Sequence, residues 1–208
     1  KRKRLSVNVH NAPVPEKTLR ELEGDYAEIV RVGLASNPNM LGGVLEILGG
    51  DISPTVRRHV ALNENAPGRV LDRLFGDEER AVRLAVAGNP FAPSHILADF
   101  SVERDEGIRI SVANNPGCSP AVLLGMMFDE SIQVRTIIAG HGNLPSPGLV
   151  ELSFDDVIEV RRAVVDNPNT VAEALKRLSF DADEDIRGKA RTRLAEVLKE
   201  RIAIDRER

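Results

Sequence analysis

The chain has 208 residues, of which 42% are hydrophobic and 29% charged, and this composition is typical of a folded globular protein. Its 28 basic and 32 acidic residues give a net charge of -4, so overall charge does not favour nucleic acid or an anionic membrane as a partner. The single cysteine, Cys118, excludes an intramolecular disulfide and cysteine-rich metal sites.

Targeting signals are also missing from the sequence. No apolar run approaches the roughly 20 residues that span a bilayer, and the start of the chain lacks a signal-peptide pattern. We therefore expect a cytoplasmic protein without a membrane partner. Because the first residue is Lys, we also expect the chain to be part of a longer protein.

In chain order, the first predicted element is a basic N-terminal arm, residues 1–10, which begins KRKRL. After it, a repeat of 26 residues runs from Asn11 to about Arg193, defined by arginines that follow Val or Ile. These arginines are Arg31, Arg57, Arg83, Arg109, Arg135, Arg161 and Arg187. Six residues before each of them stands an acidic residue: Asp25, Asp51, Asp77, Glu103, Asp129, Asp155 and Asp181. A fixed period of this length indicates a solenoid of stacked repeats.

Two further columns keep the same register. Six residues after the arginines come Asn37, Asn63, Asn89, Asn115, His141 and Asn167, most of them followed by Pro. Pairs of mainly leucines follow eight and eleven residues later, as in Leu175 and Leu178. The columns together predict seven to eight repeats in one domain that spans residues 1–208.

Each repeat is predicted to contain two helices. Val160, Val164 and Val165 form an apolar stripe on a first helix of about ten residues, which ends at Asn167 because the residue before a proline avoids the α region. The second element carries Gly and Pro in its first turn in several copies, so we expect a short α-helix or 3₁₀-helix. The repeated Asp is then placed to cap the first helix of the next repeat.

The last predicted element is a C-terminal capping helix over residues 194–208. Its apolar residues, Leu194, Val197, Leu198 and Ile202, fall at helical spacing with charged residues between them. We expect this helix to cover the last repeat, as the ends of solenoids require.

The repeat, D-x₄-V-R-x₂-V-A-x-N-P followed by L-x₂-L, resembles the leucine-rich repeat variant family, and its paired Asp and Arg resemble the ladder of HEAT repeats. The resemblance covers almost the whole chain. It implies an all-α fold in which α-helices and 3₁₀-helices alternate in a right-handed α-solenoid. Some members of the family hold an N-terminal iron–sulfur cluster through cysteines. Residues 7–14 contain no cysteine, so that cofactor is not transferred and none is expected.

The repeated polar columns have a structural and a functional interpretation. Stacked arginines could follow a phosphate backbone, but each has an acidic residue six positions earlier, and most have another in the next repeat. We therefore interpret the two columns as a self-neutralising ladder that holds the repeats in register. The Asn column is interpreted as a ladder of turns, and His141 as decay of that column.

No candidate catalytic residues emerge, and we predict that the protein is not an enzyme. The four histidines occupy different repeat positions and form no pair at metal-binding spacing. Cys118 lies in a column of small residues, which favours a buried inert thiol. No nucleophile with a base, phosphate-binding loop or metal cluster is visible.

The first helices leave an outward strip opposite their core stripe, which the analogy with HEAT repeats assigns to the concave side. Its pairs of residues are Val32 and Ser36, Arg58 and Leu62, Leu84 and Gly88, Ile110 and Asn114, Thr136 and Gly140, and Arg162 and Asp166. Three leucine or isoleucine residues in neighbouring copies give this strip an apolar, low-relief centre, which is typical of a protein interface. The alternative is that tight curvature buries these side chains between repeats.

The sequence therefore predicts a non-catalytic scaffold whose concave groove binds a protein partner or a second copy of the chain. The alternative function is nucleic-acid binding, suggested by the basic segment at Lys1 to Leu5. That alternative is weakened by a predicted groove that lacks stacking aromatic residues and holds few uncompensated cations.

Overall fold

The computed structural model describes residues 28–206, and side chains within residues 28–199. The basic arm, Asp25, and the side chain of Ile202 lie outside the described side chains. Thirteen helices and no strands are present in residues 28–206, so the predicted all-α repeat fold is confirmed. The chain divides into two compact units, one ending at Phe100 and the next beginning at Ser101.

The described part of the first unit contains six helices, in which first and second helices of the repeat alternate. They are α1 Glu28–Ala35, α2 Gly42–Leu48, α3 Pro54–Leu62, α4 Gly68–Phe75, α5 Arg80–Gly88 and α6 Ser94–Phe100. The second unit continues the alternation within its described residues. Its helices are α7 Glu106–Ala113, α8 Pro120–Met126, α9 Ile132–Gly140, α10 Ser146–Leu152, α11 Ile158–Asp166, α12 Ala172–Leu178 and α13 Glu184–Arg206.

The first helices bury the predicted apolar stripe. In α11, Val160, Val164 and Val165 are fully buried, and the equivalent residues of α1, α3, α5, α7 and α9 are buried as well, except for Val30 in α1, which is half-buried. These helices have eight or nine residues in α1 through α11, close to the length expected. Small aliphatic side chains at these positions allow neighbouring helices to pack closely.

The second helices are α-helices of seven or eight residues. Their two Leu columns are buried throughout, including Phe100 and Met126 where these replace Leu. In the first unit the rings of Phe75 and Phe100 pack with centroids 4.7 Å apart, which adds an aromatic contact to the aliphatic core. Pro120 occupies the first turn of α8, where its missing N–H costs no intrahelical hydrogen bond.

The last helix departs from the repeat pattern. The separate capping helix expected over residues 194–208 is instead the second half of α13, which runs without a break from Glu184 to Arg206. Arg193 stands where earlier repeats have the Asn, and Leu194 follows it instead of a proline. Nothing in the sequence therefore stops the helix at this point. Leu194 and Val197 are half-buried and Leu198 is exposed.

Candidate protein interface

Five ion pairs of the same geometry join consecutive repeats within the two units, and we call them the arginine–aspartate ladder. In each, Arg Nε lies 2.6 or 2.7 Å from Asp Oδ2. The pairs are Arg31 with Asp51, Arg57 with Asp77, Arg109 with Asp129, Arg135 with Asp155, and Arg161 with Asp181. A second bond from Nη2 to Asp Oδ1 completes a two-pronged contact, the geometry in which Arg binds carboxylates most strongly.

The ladder pairs each Arg with the Asp twenty residues later, in the following repeat. Toward the acidic residue six positions earlier, Arg109 binds the main chain: its Nη1 donates to the carbonyl oxygen of Glu103 at 2.9 Å. The Glu103 side chain is exposed. Arg83 and Arg187 bind the carbonyl oxygens of Asp77 and Asp181 in the same way. Each ion pair of the ladder therefore joins side chains of two consecutive repeats and not two side chains of the same repeat.

The ladder carboxylates do not cap helices as the sequence suggested. Asp129 Oδ1 accepts the N–H of Ser131 at 2.8 Å, which makes a tight turn before the helix begins. The Ser131 hydroxyl then accepts the N–H of Val134 and caps α9. The carboxylate of Asp129 lies two residues before the N-cap, Ser131, and binds the arginine of the preceding repeat instead of capping the helix.

Hydrogen bonds set the ionisation of the ladder. Burial alone would raise the pKa of Asp129, but the hydrogen bonds from Arg109 and from the Ser131 N–H outweigh it and hold that pKa below the ordinary value. The same balance lowers the pKa of the four other ladder aspartates. The hydrogen bond to Asp129 raises the pKa of Arg109 in turn. Both partners are therefore charged at neutral pH, and each neutralises the other.

At the opposite ends of the first helices, the Asn column forms a second ladder. Asn63 Nδ2 donates to the carbonyl oxygens of Ala35 and Asn37 in the preceding repeat, each at 2.8 Å. Its Oδ1 accepts the N–H of Asn65 at 2.9 Å, which fixes the turn that follows the helix. The amide thus satisfies buried main-chain groups of two repeats at once.

His141 performs the same task as Asn and is not a decayed position. Its Nε2 lies 3.2 Å from the carbonyl oxygen of Asn115, one repeat earlier, and its Nδ1 accepts the N–H of Asn143 at 3.0 Å. A neutral imidazole with its proton on Nε2 reproduces the donor and the acceptor of the amide. Arg193 occupies the next position of the column after Asn167 and donates to the carbonyl oxygen of Asn167 at 2.9 Å.

The outward strip is open to solvent in both units. Leu62 is 45% exposed, and Leu84 and Ile110 are half-buried. The remaining members are exposed or half-buried: Val32, Ser36, Arg58, Gly88, Asn114, Thr136, Gly140, Arg162 and Asp166. A Cβ atom added at Gly88 or Gly140 would meet no other atom within 4 Å. None of these side chains is therefore fully buried between the repeats.

Other kinds of site find little support in the described residues. Within them, no group of three or more His, Cys, Asp and Glu side chains is arranged to hold a metal ion. Cys118 is buried, and its burial raises the pKa of the thiol to about 11. Across the helices of the described part of the chain, none has the length and apolar character needed to cross a membrane.

No protein-family model and no curated protein matches the chain. Among solved structures, a leucine-rich repeat variant protein with a repetitive structural motif is 29% identical to it in sequence, and the two structures superimpose with a TM-score of 0.64. The match covers 87% of this chain and 72% of the other. This chain has the leucine-rich repeat variant fold. The resemblance suggested by the repeat columns is therefore confirmed.

Within its leucine-rich repeat variant fold, the second unit exposes a set of aromatic residues that the sequence columns did not reveal. Phe128, Phe154 and Phe180 each stand directly before a ladder aspartate and recur every 26 residues. They are 69%, 56% and 75% exposed. The signal was present in the sequence, but the same column holds Gly50, Gly76 and Val102 in earlier repeats and does not stand out as uniform.

Proposed function

We propose that this protein is a non-catalytic scaffold that binds a protein partner along the outward strip of its first helices, the face that the analogy with HEAT repeats assigns to the concave side. The observation that carries the proposal is the accessibility of the apolar members of this strip. Leu62 is exposed, and Leu84 and Ile110, at the equivalent outward positions of other first helices, are half-buried. Repeat proteins commonly bind partners through such extended surfaces.

The two polar ladders also support a scaffold role. The ladder arginines bind carboxylates and carbonyl oxygens of the chain itself, as Arg109 does with Asp129 and Glu103. The asparagines likewise bind main-chain groups of the preceding repeat. The arginines and asparagines that recur in the repeat therefore stabilise the stacking of the repeats. The variable outward residues are left to select a partner. The same occupation of the arginines argues against binding of a phosphate backbone.

Affinity capture with single variants tests this function. Leu62→Glu, Leu84→Glu and Ile110→Glu each place a charge on the strip, and each should leave the free energy of unfolding within about 1 kcal/mol of the parent. A protein that binds the parent should be lost from the variants, because a charge in an apolar interface is strongly unfavourable. The matched control is Ile47→Glu, since Ile47 is 55% exposed but lies on the second helix α2.

Three results would contradict the proposal. Unfolding of the variants would show that the strip belongs to the core between repeats. Unchanged capture of the partner would place the interface elsewhere. A salt-sensitive complex with duplex DNA, formed by the parent, would favour the alternative nucleic-acid function.

A further inference from the structure

Three exposed phenylalanines of the second unit, Phe128, Phe154 and Phe180, form what we call the phenylalanine stripe. Each follows the end of a second helix and precedes the turn made by a ladder aspartate. The ion pairs of that ladder hold these turns in equivalent places, so the three rings lie along the same edge of the unit. Helices of neighbouring repeats pack roughly 10 Å apart, and the rings should be separated by a similar distance.

The space between the first two rings is large enough for a side chain. An open pocket of about 300 Å³ lies between Phe128 and Phe154, with Met127 and Leu152 contributing apolar walls. The guanidinium of Arg177 lies 4.9 Å above the centre of the Phe154 ring, so one face of this ring is already covered by a cation. The pocket therefore combines apolar walls, with Phe128 and Phe154 among them, and a set of charged side chains.

Carboxylates surround this pocket. Glu151 and Asp156 line it and are exposed, whereas Glu130, outside its lining, lies 3.3 Å from Nη2 of the ladder residue Arg109. The only arginine that lines the pocket, Arg135, is already paired with Asp155. The pocket thus carries two exposed carboxylates, those of Glu151 and Asp156, that belong to no ladder ion pair.

We propose that the phenylalanine stripe binds a cationic, apolar polypeptide segment of a partner protein. Apolar side chains of the segment pack against Phe128 and Phe154, and its lysines or arginines meet Glu151 and Asp156. In a helical segment, residues seven positions apart lie roughly 10 Å apart on one face, which matches the spacing of the rings. The inference deepens the proposed scaffold function by naming a second surface and the chemistry of its partner.

Charge decides between this partner and other occupants. A phosphate backbone or an anionic membrane would bring negative charge against Glu151 and Asp156. A second copy of the same stripe would oppose like charges across the contact. A cationic segment instead gains attraction from the carboxylates and apolar contact from the rings.

The test uses fluorescein-labelled helical peptides of about 15 residues, because isolated shorter helices are marginal in water. The first peptide carries two leucines seven residues apart with lysines between them. In a second peptide the leucines are replaced with alanine, and in a third the lysines are replaced with glutamate. Fluorescence anisotropy then measures binding to the whole chain in about 50 and about 300 mM NaCl.

The lysine and leucine peptide should bind, more weakly at the higher salt concentration, and the glutamate peptide should not. The double variant Phe128→Ser with Phe154→Ser should weaken this binding at least about tenfold. Its matched control, Phe91→Ser in the first unit, should leave the affinity unchanged, since Phe91 is 64% exposed but does not belong to the stripe. Glu151→Gln with Asp156→Asn should weaken binding and reduce its dependence on salt.

The proposal is overturned if the first peptide fails to bind at millimolar concentrations, or if it binds the double Phe variant as well as the parent. Binding of the glutamate peptide would also overturn it. Duplex DNA, anionic vesicles and a second copy of the chain are the other possible occupants. One of them would replace the cationic segment if the double Phe variant lost binding to it and kept its affinity for the peptide. Because the peptides report on the stripe and not on the outward strip, failure here leaves the Leu62, Leu84 and Ile110 test of the scaffold function standing.

Discussion

Replacement of Asp129 with alanine should destabilise the protein strongly, whereas replacement of Glu103 should not. Asp129 accepts hydrogen bonds from Arg109 at 2.7 and 3.0 Å and from the Ser131 N–H at 2.8 Å. The side chains of Asp129 and Arg109 are each only 7% exposed. Asp129→Ala therefore removes two charge-assisted bonds and leaves a nearly buried guanidinium without its carboxylate.

The expected loss in free energy of unfolding is about 3 kcal/mol for Asp129→Ala, because breaking a buried pair costs more than the pair contributes. Glu103 presents only its main-chain carbonyl to Arg109, and alanine keeps that carbonyl, so Glu103→Ala should change stability by less than about 0.5 kcal/mol. Glu130→Ala is the matched control for removal of an exposed carboxylate next to the ladder.

Urea unfolding followed by far-UV circular dichroism is the suitable assay, since the chain is helical and contains no tryptophan. A double-mutant cycle between Arg109→Ala and Asp129→Ala should give an interaction energy of about 2 kcal/mol. Equal losses in the free energy of unfolding for Glu103→Ala and Asp129→Ala would refute the ladder between repeats. An interaction energy near zero between Arg109 and Asp129 would also refute it.

Three further outcomes follow from the same contacts. The ladder aspartates have pKa values below those of the unfolded chain, so their stabilisation is present at neutral pH and should be lost in acid unfolding as the pH falls below about 4 through the folded-state values. His141→Asn should keep the parent's urea midpoint, while His141→Ala should lower stability by about 1–2 kcal/mol because two main-chain partners are left unsatisfied; equal midpoints for both variants would contradict this role. Cys118 should react with iodoacetamide more than about 100-fold faster in urea than in the folded protein, and equal rates would show that the thiol is not buried.

The period, the helices and the core could be predicted from the sequence because every column needs the same residue type in every repeat. Val160, Val164 and Val165 fall at helical spacing, and the buried face follows directly from that spacing. The end of the first helix was predictable for a similar reason, since an Asn before Pro adopts an extended conformation, as Asn167 does.

The pairing of the ladder could not be predicted, because the acidic column supplies two candidates for each arginine. Only the fold shows that Arg109 faces the carbonyl of Glu103 and the carboxylate of Asp129. The role of His141 was missed because, in the sequence, a single substitution in the Asn column looks like loss of the repeat pattern. Only the structure shows that the two ring nitrogens of His141 contact the main chain of Asn115 and Asn143.

The two ladders run in opposite directions along the chain. An arginine reaches forward to the aspartate of the next repeat, as Arg135 does to Asp155, while an asparagine reaches back, as Asn167 does to Ala139. Every such bond therefore joins two adjacent copies and no others. If the gene gains or loses one complete copy of 26 residues, each arginine still has an aspartate in the next repeat, and each asparagine still has its carbonyl partners in the preceding repeat. Insertion of a single residue inside a helix would instead change the spacing between the residues of the two ladders, so that one ladder would lose its register with the other. The length of such a protein can therefore evolve in whole copies, and the set of outward side chains can lengthen with it while the existing contacts stay unchanged.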